Sequence, residues 1–180
     1  MKKLICCLVL LVSIFSLVGC GLNNNQNETL ASSDYLRIHI RANSNSMDDQ
    51  NVKYMVKDKV VEFLTPIIAL CKSKEEMQNA VNSNLRNIES VANEVLNGNG
   101  FNYTSKAYLN FEYFPTKTYG DTTLEADFYD AIIVELGNAD GNNWWCVVYP
   151  PLCFLNAEET STEGFRYKSL IKELIDKFFN

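Results

Sequence analysis

Few residues in this sequence combine the types and spacing that chemistry requires. His39 is the one imidazole among 180 residues, which rules out a three-histidine zinc site. Cys71, Cys146 and Cys153 have none of the paired C-x-x-C spacing that structural zinc uses. A cysteine nucleophile with His39 as its base needs only neighbours in space, so it stays open as a hydrolase reading. Asp48 with Asp49, and Asp121 with Glu125, have the spacing of ordinary turns and helix starts. There is no glycine-rich phosphate loop, nucleophile elbow or dinucleotide fingerprint. The expectation is no catalytic residue, no metal and no cofactor.

Binding chemistry is better represented. Arg37, His39 and Arg41 alternate with Leu36, Ile38 and Ile40, which places three potential cations within about 14 Å on one face of a strand. That row is either a solvated sheet face or a recognition strip for an acidic partner surface. Trp144 and Trp145 are adjacent in a second strand and so point to opposite faces. One is expected in the core, the other in contact with a partner. Cys146 and Cys153 lie seven positions apart around Pro150-Pro151, a bend that brings two cysteines within disulfide reach; two buried thiols are the alternative. Export favours the disulfide.

Export is read from the N-terminus. Lys2 and Lys3 precede an uncharged apolar run over residues 4–18, and Leu17-Val18-Gly19-Cys20 follows. This is the order of a secretory signal, and the run is shorter than the roughly 20 residues of a spanning helix. The ending resembles a lipobox, which would acylate Cys20 and anchor the chain to a membrane; the alternative is a plain secretory signal that happens to end before a cysteine. Loss of Lys2 and Lys3 with residues 1–19 takes the formal charge from −6 to −8, and no basic patch remains for nucleic acid.

The elements that must position these residues follow from periodicity. Polar residues 20–33 read as a flexible tether, residues 21–33 spanning at most about 45 Å at roughly 3.4 Å each. Residues 35–41 alternate as a half-buried strand. Val52, Val56, Val60, Phe63 and Ile67, flanked by Met55 and Leu64, form one helical stripe, with Asp48 or Asp49 as N-cap and Pro66 near its end. Ser73 and Glu76 form a capping box ahead of a second stripe at Met77, Val81, Leu85, Ile88, Ala92 and Val95, which stops at Asn97-Gly98-Asn99-Gly100. Residues 101–113, 131–136 and 144–149 read as strands, and 137–143 has hairpin-turn composition. A polar link and a last amphipathic helix carrying Leu170, Leu174, Ile175 and Phe178 occupy residues 158–180.

The order β-α-α-β-β-β-α implies an α+β two-layer sandwich over residues 34–157, with a mainly antiparallel sheet and two amphipathic helices packed on one face.

Three stretches carry a resemblance. Arg37-Ile-His-Ile-Arg-Ala-Asn-Ser44, Phe114-Pro-Thr-Lys-Thr-Tyr-Gly120 and Asn143-Trp-Trp-Cys-Val-Val-Tyr-Pro-Pro-Leu-Cys-Phe154 together resemble the stage II sporulation protein R family, over about residues 35–155. The resemblance implies a protein made in the forespore and exported into the space between two membranes. There it would activate a membrane-embedded aspartic protease of the mother cell, which cleaves pro-sigma-E. It implies a ligand, not a catalyst; the strip and tryptophan pair read above then make Arg37, His39, Arg41 and the outward one of Trp144 and Trp145 the expected contact residues. Two features depart from the family pattern: the lipobox, and Ala126-Asp127-Phe128-Tyr129 where an Ala-Gly turn before tyrosine is expected. Apart from the hydrolase, the competing reading is an extracytoplasmic lipoprotein that binds a cell-wall or small-molecule ligand.

Overall fold

A strand with apolar residues at alternate positions needs one covered face; the first strand of this protein has two. In the computed structural model, which describes residues 31–119 and 122–154 together with Lys172 and Asp176, β1 (Leu36–Arg41) is buried from Leu36 to Ile40. Its position explains this. β1 lies inside a four-stranded sheet, parallel to β5 (Asp127–Leu136) and antiparallel to β6 (Asn143–Tyr149). β2 (Ser105–Phe114) pairs antiparallel with the outer side of β5, giving the order β2-β5-β1-β6.

Two helices cover one face. α1 (Met47–Ile68) and α2 (Lys74–Gly98) bury the rows Val52, Val56, Val60, Leu64, Ile68 and Met77, Val81, Ile88, Ala92, Leu96 against Leu36, Ile38, Ile40, Ile132, Val134 and Leu136. Each fully buried aliphatic side chain contributes roughly 1.5–3 kcal/mol. The α1 stripe is rotated from the expected one: Leu64 and Ile68 complete the row, Phe63 and Ile67 sit at its margin, and Met55 is exposed. Ser46, and neither Asp48 nor Asp49, caps α1, its hydroxyl accepting from the Asp49 N–H at 3.2 Å. Ser73 caps α2 through the Glu76 N–H (3.1 Å), while Glu76 reaches back to the Lys72 N–H (2.8 Å). Gly100, at φ 81, follows the Asn99 C-cap. Pro66 is accommodated in the last turn of α1, which ends two residues later.

Sheet topology departs from the expected run of adjacent strands. β5 and β6 are consecutive in sequence but do not pair, because β1 lies between them. Residues 137–142 therefore form no hairpin turn. They cross over the end of β1, tied to it by Gly141 N–H to Ala42 C=O (2.9 Å) and Asp140 N–H to Asn43 C=O (3.2 Å). The crossing is close: a Cβ on Gly141 would stand 2.2 Å from the Ser44 carbonyl oxygen. Asp49, the expected cap, instead anchors the corner beneath this loop. It accepts from Asn43 Nδ2 (2.9 Å), the Ser44 hydroxyl (2.5 Å) and the Tyr103 hydroxyl (2.5 Å). Burial opposes its charge, yet those hydrogen bonds hold its carboxyl below the usual range.

A second, unforeseen feature covers the other face. β3 (Lys117–Tyr119) and β4 (Thr122–Leu124) form a small antiparallel hairpin inserted between β2 and β5. Beneath it Tyr35, Phe114, Leu124, Tyr129, Ala131, Ile133 and Val147 make a separate apolar cluster. Of the segment 126–129, Ala126 is a bend and Asp127–Tyr129 are strand, with Phe128 paired to Tyr113, so β5 begins four residues before the expected Ala131. The expected signal 1–19, the anchor Cys20, the tether up to residue 30 and the tail 158–180 lie outside the described residues, except Lys172 and Asp176, both helical and exposed. No helix among the described residues is long and apolar enough to cross a membrane.

Candidate functional site

The hairpin-covered face of the sheet gathers side chains from all three stretches singled out in the sequence. Strand alternation sends Arg37, His39 and Arg41 of β1 to this face, and puts Trp145 directly opposite His39 on β6. The end of β2 brings Phe114 over them, and β3 brings Lys117 and Tyr119.

Arg37 is fully buried, which overturns its expected place on an accessible strip. Its guanidinium carbon lies 4.2 Å from the Phe114 ring centroid, 4.8 Å from Tyr129 and 5.8 Å from Tyr119. Nη2 donates to the Tyr119 hydroxyl at 2.7 Å; Nε and Nη1 have no hydrogen-bond partner. Ring faces attract a cation through their quadrupole, so this aromatic cage compensates part of the cost of burying the charge.

His39 is also buried, contrary to expectation. Its ring packs 5.2 Å from Trp145 and 5.6 Å from Phe114, and Nδ1 is 3.7 Å from a Glu112 oxygen. Burial first, then the Arg41 charge, pushes its pKa down to about 4, so the imidazole is neutral at neutral pH. Arg41 alone of the three keeps an accessible side chain, 23% exposed, and it is ion-paired to Glu112 and, at 2.9 Å, to Glu135. Tyr108 donates to the same Glu135 at 2.8 Å; burial, then that carboxylate, pushes its hydroxyl up to about 12.

The tryptophans divide as their adjacency requires. Trp144 packs against the helix-side core, with the Lys57 ammonium 5.9 Å from its ring. Trp145 is half-buried on the opposite side, under the Lys117 ammonium at 4.5 Å. Cys146 and Cys153 are disulfide-bonded, which ties the turn Leu152–Phe154 back onto β6. Cys71 is buried at the end of α1, its thiol directed to the Ile67 carbonyl and its pKa raised by burial. It belongs to the helix-side core while His39 lies on the other face, so the cysteine–histidine pair of the hydrolase reading is not assembled. Among the described residues no group of three His, Cys, Asp or Glu side chains is placed to hold a metal ion.

Sequence reasoning missed Phe114, Tyr119 and Tyr129 as the walls of the cage, and Glu112 and Glu135 as the partners of Arg41. Alternation within β2 does set Tyr108, Glu112 and Phe114 on one face, but nothing local tells which face lies over Arg37. Phe111, Tyr113 and Phe128 were also missed as a surface feature: their rings touch, at 5.6 and 5.7 Å, yet each is about half exposed or more.

Residues 32–159 match the family model described as stage II sporulation protein R. Over 163 residues the chain is 36% identical to the stage II sporulation protein R of Bacillus subtilis (strain 168), covering 87% of this chain and 73% of that protein. No solved structure matches it. The three stretches that meet on the hairpin-covered face all fall within the matched residues, and the chain belongs to the stage II sporulation protein R family.

Proposed function

We propose that this protein is an exported signalling ligand of sporulation, which activates a membrane-embedded aspartic protease of the mother cell and so triggers cleavage of pro-sigma-E. The observation that carries the reading is convergence. Segments near residues 37–44, 114–120 and 143–154, far apart in sequence, place their polar and aromatic side chains on one sheet face with an accessible margin at Arg41, Lys117 and Trp145. A half-covered tryptophan beside cations has the anatomy of a docking surface, in which the aromatic anchors and the charges orient. The separation of Cys71 from His39 and the bonding of Cys146 to Cys153 support a ligand over a hydrolase. Delivery is by export through residues 1–19 to the outer face of the forespore membrane, with Cys20 lipidated and residues 21–33 as tether.

Co-expression with the protease and pro-sigma-E in a non-sporulating host tests this, reading pro-protein cleavage with and without the ligand. Cleavage should depend on the ligand and be lost in Lys117→Glu combined with Trp145→Ala, at unchanged export and circular dichroism. Cleavage independent of the ligand refutes the reading. Fatty-acid-analogue labelling should mark the wild type and not Cys20→Ala.

A further inference from the structure

The Arg37 cage contains more donors than acceptors. A guanidinium carries five N–H groups. One Nη2 donor goes to Tyr119, while Nε and Nη1, with three N–H groups between them, point at nothing that accepts. Trp145 Nε1 on the same face is likewise buried and without a partner, while the neutral His39 ring between them has a Glu112 oxygen 3.7 Å from Nδ1 and the Asn143 side chain, with its own unpaired Oδ1, in hydrogen-bond contact. These atoms share one face, since Arg37 and His39 are two apart on β1 and Trp145 is paired with His39. The one unpartnered carboxylate oxygen near them belongs to Glu112, whose other oxygen is bound by Arg41; Arg41 also takes Glu135. Two carboxylates thus share the Arg41 charge, whereas no carboxylate among the described residues lies within 4 Å of Arg37.

We propose that Arg37, with Trp145 and His39, is a receptor for the carboxylate of an acidic peptide side chain. On the signalling reading above, on which this identity of the partner rests, the protease presents an aspartate or glutamate to it. A guanidinium away from water, faced by rings and one hydroxyl but by no anion, favours an ionised acceptor over a neutral carbonyl, and charge-assisted hydrogen bonds are the stronger kind. The approach lies past Lys117, whose ammonium rests on the Trp145 ring and lies on the same side of β3 as Tyr119. Turning that side chain aside uncovers the indole and leaves a second cation at the entrance to steer an anion.

The mature chain, labelled with nitrogen-15, tests this by titration with the blocked pentapeptide Ala-Ala-Glu-Ala-Ala, its glutamine counterpart, and acetate at matched ionic strength. The glutamate peptide should shift the Arg37 Nε–H and Trp145 Nε1–H resonances saturably, with the glutamine peptide at least tenfold weaker. Arg37→Met and Lys117→Ala, checked for a native spectrum, should each weaken it tenfold or more. Equal response to both peptides, no response, or acetate acting as strongly as the glutamate peptide overturns the proposal; the last assigns the site to free small carboxylates. Binding without ligand-dependent cleavage in the co-expression assay discards the signalling reading alone, and cleavage without binding discards this site alone.

Discussion

The two faces of the sheet are built from the same four strands by opposite means. On the helix side, aliphatic rows from β1, β5 and two long helices meet with few polar atoms among them. On the hairpin side a smaller cluster of aromatics surrounds a buried arginine, a neutral histidine and an arginine shared by two carboxylates. The first kind of packing specifies a fold through area removed from water. The second is polar, incompletely satisfied and held by geometry, which is where proteins of marginal stability keep groups that act. The difference teaches that alternation along β1 sorts side chains by chemistry, not by exposure.

The largest effect expected is at Arg37. Arg37→Glu sets a carboxylate among Phe114, Tyr129 and Tyr119 in place of a cation held by their faces, and should prevent folding, seen as loss of the native circular dichroism signal. Arg37→Met keeps the volume without the charge and should fold with stability within about 2 kcal/mol of wild type. If both variants fold equally well, the two faces do not differ as described. On the aliphatic side Ile38→Ala should cost roughly 2–5 kcal/mol in urea unfolding, with the hairpin-side signals unchanged in the folded state.

Acid should separate the faces next. The unfolded His39 takes up its proton near 6.5, the folded one near 4, so stability falls as pH drops through that window and is unaffected by this residue above it. The full loss is roughly 3–4 kcal/mol for the 2.5 units between 6.5 and about 4, at about 1.4 kcal/mol per unit, and His39→Gln should flatten the profile relative to wild type. A profile equally steep in the variant assigns the slope to other groups. Replacing Cys146 and Cys153 by serine should lower stability by about 2.5 kcal/mol, the chain-entropy value for an eight-residue loop. The smallest change should come from the exposed rings: Phe111→Ser should alter stability by no more than about 0.5 kcal/mol.

Much of the fold was legible. The cap at Ser73, the helix stop within residues 97–100, the second helical stripe, the opposed tryptophans and the disulfide follow from neighbours a few residues apart, where spacing dictates geometry. Ser46 was misread because two aspartates follow it, one of which the tertiary fold uses to bind Tyr103 instead. The expected hairpin at 137–143 failed for a related reason. Gly141 is needed for close passage over Ser44, and Gly137, at φ 56, for a turn closed by Ala139 N–H to Leu136 C=O that leads over β1 and not into a hairpin with β6.

By itself the sequence determined what local spacing controls: an α+β order of elements, two amphipathic helices, a row of Arg37, His39 and Arg41 opposite Leu36, Ile38 and Ile40, and membership marks in three separate stretches. Only the tertiary structure decided that β1 is an inner strand beside a parallel β5, and that its strip of alternating chemistry is covered on both sides from Leu36 to Ile40, with Arg41 at the rim. Strand periodicity distinguishes one face from the other but carries no information about what packs on either. That depends on distant partners, the Phe114 and Tyr119 rings about 80 residues away and the Glu112 and Glu135 carboxylates, which turn three exposed cations of the linear pattern into one caged arginine, one neutral imidazole and one rim ion pair.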